Sequence, residues 1–273
     1  MKINRLIFNG WPTTDKSKLK NKIKEVLDNY QSDILLLPGG SLIYNINKDW
    51  EDSGWNTHKD FDIVFWSILK KKVADFCKSF NGKYLSIGVD LRSEKTNKHA
   101  ELVCFIDLES NELLRVTGKS YPTGDQEQSL VHITNLQSHC LELDGERILL
   151  LGCHDLNIYN ARAITNLKEG SERWKRWKEF RRVADEFKPT LILHHPHATD
   201  TSKTWKLGWS GLKKAYGNIQ YASGISYTTA KPIKRESLVK VLLNTASNLS
   251  GTGIIVSGRE FPTKIQKNFI PNT

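Results

Sequence analysis

The sequence is poor in the features that mark secreted, membrane-spanning or metal-clipped proteins. Four cysteines, Cys77, Cys104, Cys140 and Cys153, lie scattered through 273 residues with no paired spacing. That spacing excludes a zinc knuckle, and a chain long enough to bury a large core does not need a disulfide framework. No apolar run approaches the ~20 residues of a membrane-spanning helix. The apolar stretch between Met1 and Gly10 soon meets Trp11-Pro12. It is too short for a signal-peptide core, so it reads as a strand, and a cytoplasmic location with no membrane contact is expected. Internal repeats and low-complexity linkers are missing as well, which leaves no clear domain boundary.

What is abundant is positive charge. Forty Lys and Arg against thirty Asp and Glu give a net charge of +10. Lysines gather at Lys16, Lys18, Lys20, Lys22 and Lys24 and again at Lys70 to Lys72, and a mixed cluster follows at Arg173, Lys175, Arg176, Lys178, Arg181 and Arg182. Such faces suit nucleic acid or an acidic protein partner. No recognisable base-stacking motif interleaves with them, so a solvated helix face is the simpler reading. Trp174 and Trp177, on the same helix, are expected to pack in the core.

Hydrophobic spacing places the elements. Leu6 to Phe8 reads as a strand, and Leu19 to Tyr30 carries apolar residues at helical intervals. Asp33 to Leu37 is a short apolar run stopped by Pro38-Gly39-Gly40, the pattern of a buried strand meeting a loop. Ser41 to Asp60 reads as irregular, and Asp62 to Phe80 as a helix. Tyr84 to Asp90 is a strand, and Leu102 to Leu108 with Leu113 to Val116 reads as a β-hairpin. Ile148 to Leu151 is a strand running into Gly152-Cys153-His154-Asp155. A charged helix is expected over Ser171 to Phe187, then a strand Leu191 to Leu193 ending at His194-His195-Pro196-His197. Leu207 to Tyr216 reads as helix, Ile219 to Tyr227 as extended, and Ile254 to Val256 as a late strand. Strands alternating with helices, plus hairpins, predict a layered α/β domain with its site at the strand ends.

Two residues at those ends can carry chemistry. Cys153, on a strand-to-loop turn, is held rigidly enough to serve as a nucleophile if a base or a positive charge lies nearby. Lys119, in Thr117-Gly118-Lys119-Ser120-Tyr121-Pro122 after the hairpin, can stabilise an oxyanion. Taken singly, each is more often a core thiol or a solvated loop charge.

Their order and context resemble the carbon–nitrogen hydrolase (nitrilase) superfamily. Asp33 to Pro38, Tyr84 to Lys119, Arg147 to Asp155, Leu191 to Pro196 and Trp205 to Ser226 follow one another as that family's segments do. The resemblance spans about residues 1–230 and implies a four-layer α-β-β-α sandwich, with 231–273 as a C-terminal extension packed on the same domain. It also implies no cofactor, a small amide-type substrate and a possible homodimer. In it, Cys153 matches the nucleophile and Lys119 the lysine, while Glu127 matches a second glutamate beyond the lysine loop.

The family's general-base glutamate falls on Gly39, which cannot transfer a proton. A general base contributes ~10²–10⁴-fold in rate, so its loss leaves three readings. The site is a thiol hydrolase with a compensating base, for which His154 and His195 are candidates and His194 and His197 lie at the same strand end. Alternatively, the chain is a catalytically silent scaffold or binding subunit that works through its basic faces. As a third reading, the cluster His194 to His197, with Asp200, His154 and Asp155, holds Zn²⁺ or Mn²⁺ for phosphodiester hydrolysis, although its spacing matches no established metal motif.

Overall fold

The computed structural model describes residues 1–46, 63–96, 98–122, 124, 126, 129–199, 203–228, 236–247, 253–257 and 266–267. The elements in chain order are β1 (Ile3–Asn9), α1 (Lys16–Asn29), β2 (Ile34–Leu36), β3 (Leu42–Ile46), α2 (Ile63–Cys77), β4 (Tyr84–Ser93), β5 (His99–Asp107) and β6 (Glu112–Gly118). Then come β7 (Cys140–Leu143), β8 (Glu146–Leu151), α3 (Ala161–Thr165), α4 (Glu172–Phe187), β9 (Leu191–His194), α5 (Lys203–Tyr216), β10 (Gln220–Ser223) and β11 (Ile225–Ser226). The chain closes with α6 (Leu238–Asn244), β12 (Ala246–Ser247), β13 (Gly253–Ser257) and β14 (Gln266–Lys267).

The strands form two sheets. One runs β14-β13-β1-β2-β4-β5-β6, with β11 also on β1 and β3 also on β4; the other runs β12-β10-β9-β8-β7. Side chains alternate between faces with period two, and the core divides accordingly. Ile3, Ile34, Tyr84, Val103 and Phe105 of the first sheet meet Ile148, Leu150, Leu191 and Leu193 of the second in the layer between the sheets. The opposite faces pack outward: Leu6, Phe8, Leu85, Ile87 and Cys104 against α1 and α2, and Leu149, Leu151 and Ile192 against α4 and α5. The result is the four-layer α-β-β-α sandwich.

Local chemistry sets the helix starts. The Asp15 side chain accepts from the amides of Ser17 and Lys18 at α1, and Ser171 does the same for Trp174 at α4. On α4 part of the basic cluster finds counter-ions on the same helix: Lys175 pairs with Glu172, Arg181 with Asp185, and Arg182 with Glu179 and Glu186. Trp177 packs against the core and donates from Nε1 to the Ile158 carbonyl.

Two stretches differ from expectation. Leu42–Ile46, read as irregular, is a strand parallel to β4, from Leu42 opposite Val89 to Ile46 opposite Ser93. Its partner residues lie 47 positions further along the chain (Leu42 to Val89), which local spacing does not reveal. The extended run after Ile219 is two strands serving two sheets: β10 pairs β9, and β11 pairs β1. Beyond residue 231, β13 pairs β1 in parallel, so this part of the chain supplies a strand of the main sheet.

Candidate active site

Strand register builds the site. In the antiparallel ladder of β4 and β5, Asp90 lies opposite Glu101, and on β6 Gly118 lies opposite Leu102. Lys119, the next residue, donates its amide to the Glu101 carbonyl at 2.8 Å. Asp90, Glu101 and Lys119 therefore stand in a row across three adjacent strands. The second sheet brings Cys153, just past β8, and His197, just past β9, to the same place.

Lys119 is 1% exposed, and its Nζ donates to both Glu101 oxygens at 3.0 and 2.9 Å. His197 Nε2 lies 2.7 Å from Asp90 Oδ1, and its Nδ1 lies 3.4 Å from Glu101 Oε2. The His197 amide donates to Cys153 Sγ at 3.4 Å. A His197 ring nitrogen, Cys153 Sγ and a Glu101 oxygen all lie within 4.8 Å of one another. Glu101 is thus bonded to Lys119 and lies within 4.8 Å of Cys153 Sγ.

The charges tune one another. Burial alone would lower the proton affinity of His197, but the Asp90 and Glu101 carboxylates outweigh it and hold the imidazole well above its ordinary range. For Glu101, burial pushes the other way, and His197, His99 and Lys119 together keep the carboxyl far below the usual carboxylate range.

Gly39 is the key to how His197 fits. A Cβ at this position would lie 2.7 Å from the His195 carbonyl oxygen and 2.8 and 2.9 Å from Nδ1 and Cε1 of His197. The imidazole of His197 therefore occupies the space a side chain at position 39 would enter. Beside it opens a cavity of about 530 Å³, walled by Trp11, Pro12, Ile43 and Arg92 and floored by Gly39, Asp90 and His197.

The other histidines are committed elsewhere. The His194 ring bonds Ser223 Oγ and the Cys153 carbonyl, and burial pushes it down to about 3. The His195 ring bonds Ser86 Oγ and the Leu151 carbonyl, and burial pushes it down to about 4. Among the described residues, the three rings of the strand-end cluster take separate partners and do not share a metal pocket. The His154 ring lies against Trp205, with Nδ1 3.4 Å from the Asn157 amide. Glu127 and Asp200 lie outside the described residues.

Asp155 ties the two chemical loops together. Its Oδ1 accepts from the amides of Ser120 and Tyr121 at 2.9 and 2.8 Å, and its Oδ2 from the Gly152 amide at 2.9 Å. One fully buried carboxylate thereby fixes the residues flanking Lys119 and Cys153. Asp155→Asn turns a donor toward at least one of those amides, and buried groups left unpaired cost about 1–3 kcal/mol each. We expect a stability loss of about 3 kcal/mol, read from urea unfolding midpoints; an unchanged midpoint contradicts the tether.

No family model matches the sequence, and no curated protein matches it. Solved structures do match. The Saccharomyces cerevisiae protein Nit3, a member of branch 10 of the nitrilase superfamily, aligns over 86% of this chain and 79% of its own, with a TM-score of 0.51 at 11% identity. A mutant of the Nesterenkonia AN1 amidase, from the same superfamily, aligns over 82% of this chain and 76% of its own, with a TM-score of 0.50 at 14% identity. At such identities the likeness establishes the fold.

Proposed function

We propose that this chain, which has the nitrilase-superfamily fold, is a thiol hydrolase acting on a non-peptide amide-type C–N bond. The observation that carries the reading is His197: an imidazole with a ring nitrogen within 4.8 Å of the Cys153 sulfur, oriented by Asp90, in the space a side chain at position 39 would enter. A nucleophile, a base and a group that orients the base make a working unit for covalent catalysis.

In the first half-reaction the sulfur attacks the amide carbonyl carbon. His197 holds the thiol proton and delivers it to the departing nitrogen as the C–N bond breaks. The Lys119 ammonium faces the negative charge that develops on oxygen. Glu101 fixes Lys119 Nζ from both oxygens and balances the charge of His197. In the second half, a water gives a proton to His197 and attacks the thioester carbonyl. The C–S bond breaks, the carboxylic acid leaves and the thiol is restored.

The test is ammonia release from a panel of small primary amides, before and after alkylation with iodoacetamide. Release from at least one amide, lost in step with alkylation of Cys153, is the expected result. Release that survives full alkylation of Cys153 excludes the mechanism, and no release from any amide favours a silent scaffold.

A further inference from the structure

The same three side chains make a second kind of site. We propose that Cys153, His197 and Glu101 form a three-donor pocket for a borderline-soft divalent cation such as Zn²⁺, with the fourth position open to water. If the chain is the hydrolase proposed above, binding withdraws the nucleophile and stops the reaction reversibly.

The donor set is one sulfur, one imidazole nitrogen and one carboxylate oxygen within 4.8 Å of one another. These are zinc ligand types, and three protein ligands with an open position is the pattern of accessible zinc sites. Zn–S near 2.3 Å and Zn–N and Zn–O near 2.1 Å place tetrahedral donors about 3.5 Å apart. The His197 Nδ1 to Glu101 Oε2 separation is already 3.4 Å. Bringing Cys153 Sγ from within 4.8 Å to that distance requires side-chain rotation of Cys153 and Glu101.

Two further observations point to a ligand. His197 Nδ1 is buried and makes no hydrogen bond, although it faces Glu101 Oε2 at 3.4 Å. The other ring nitrogen, Nε2, contacts Asp90 at 2.7 Å, and a carboxylate behind a histidine is the usual outer support of a metal-bound imidazole. The cavity beside Gly39 and His197 reaches one of the three donors and has room for water.

Lys119 opposes the ion. Its ammonium holds both Glu101 oxygens, so a cation must displace it from at least one. That competition makes the site weaker than a structural zinc centre, and it predicts the unusual result that removing a neighbouring charge tightens binding.

The experiment is a Co²⁺ titration of the full chain, followed by visible absorption. One equivalent is expected to give the intense bands of tetrahedral cobalt with a sulfur-to-metal charge-transfer band, reversed by EDTA. Cys153→Ala should lose the charge-transfer band, His197→Gln should weaken binding at least about tenfold, and Lys119→Met should strengthen it. Cys140→Ala, a buried thiol elsewhere, should behave like the parent. A parent spectrum without sulfur ligation, or one that Cys153→Ala leaves unchanged, overturns the site. A cobalt spectrum as expected in a protein that releases no ammonia from any amide upholds the metal site and overturns the hydrolase.

Discussion

Cys153→Ala is expected to lower amide hydrolysis by at least ~10⁴-fold, because removing a nucleophile removes the covalent route and leaves only binding and electrostatic stabilisation. The protein should remain folded. Cys153 is 6% exposed and packs among Tyr121, Leu151 and Trp205. The change deletes one sulfur and one 3.4 Å contact from the His197 amide, a loss of about 1 kcal/mol. Circular dichroism and unfolding midpoints close to the parent, with hydrolysis lost, identify a chemical role. Hydrolysis within a few-fold of the parent places the chemistry elsewhere.

His197→Gln is expected to cost ~10²–10⁴-fold, the range of a general acid–base group. Glutamine keeps a polar side chain near Asp90 but cannot carry the proton between sulfur and nitrogen. A companion effect is expected at a residue with no chemistry of its own. Gly39→Ala introduces a methyl group 2.7 Å from the His195 carbonyl oxygen and 2.8 Å from His197 Nδ1. The carbonyl cannot move far without disturbing β9, so the imidazole must give way, and activity should fall by a similar order. The two losses should not add in the double variant, because both remove the same imidazole from the same place. Full activity in Gly39→Ala contradicts the assigned position of His197, and a His197→Gln variant within threefold of the parent contradicts its role.

Much of the fold was legible because its signals are local. Ile34–Leu36 stops at Pro-Gly, Glu146–Leu151 stops at Gly-Cys, and α4 follows helical spacing with Ser171 as its cap. The elbow at Cys153 and the lysine after the hairpin could be picked out for the same reason. The rest of the site depends on strand pairing. Nothing local says that Asp90 faces Glu101; the ladder register does. A trace of it is visible in retrospect: Ser86, Gly88 and Asp90 alternate with Ile87, Val89 and Leu91, and a charge in such a strand needs a partner. His195 is one candidate base within His194-His195-Pro196-His197, yet its ring is bonded to Ser86 and Leu151. Only beyond Pro196, whose carbonyl accepts from the Gly39 amide at 3.1 Å, does the chain turn a histidine toward the thiol. The vacant base position at Gly39 and the histidine after Pro196 are two halves of one arrangement, separated by more than 150 residues.

The central claim is a covalent intermediate on Cys153 assembled with His197. The most direct measurement is intact-protein mass after rapid acid quench during turnover of an amide that releases ammonia, with peptide mapping of the adduct. The account predicts a mass increase equal to the acyl group, confined to the peptide containing Cys153 and absent from Cys153→Ala. An adduct on another residue, or ammonia release at the parent rate from Cys153→Ala, would contradict it.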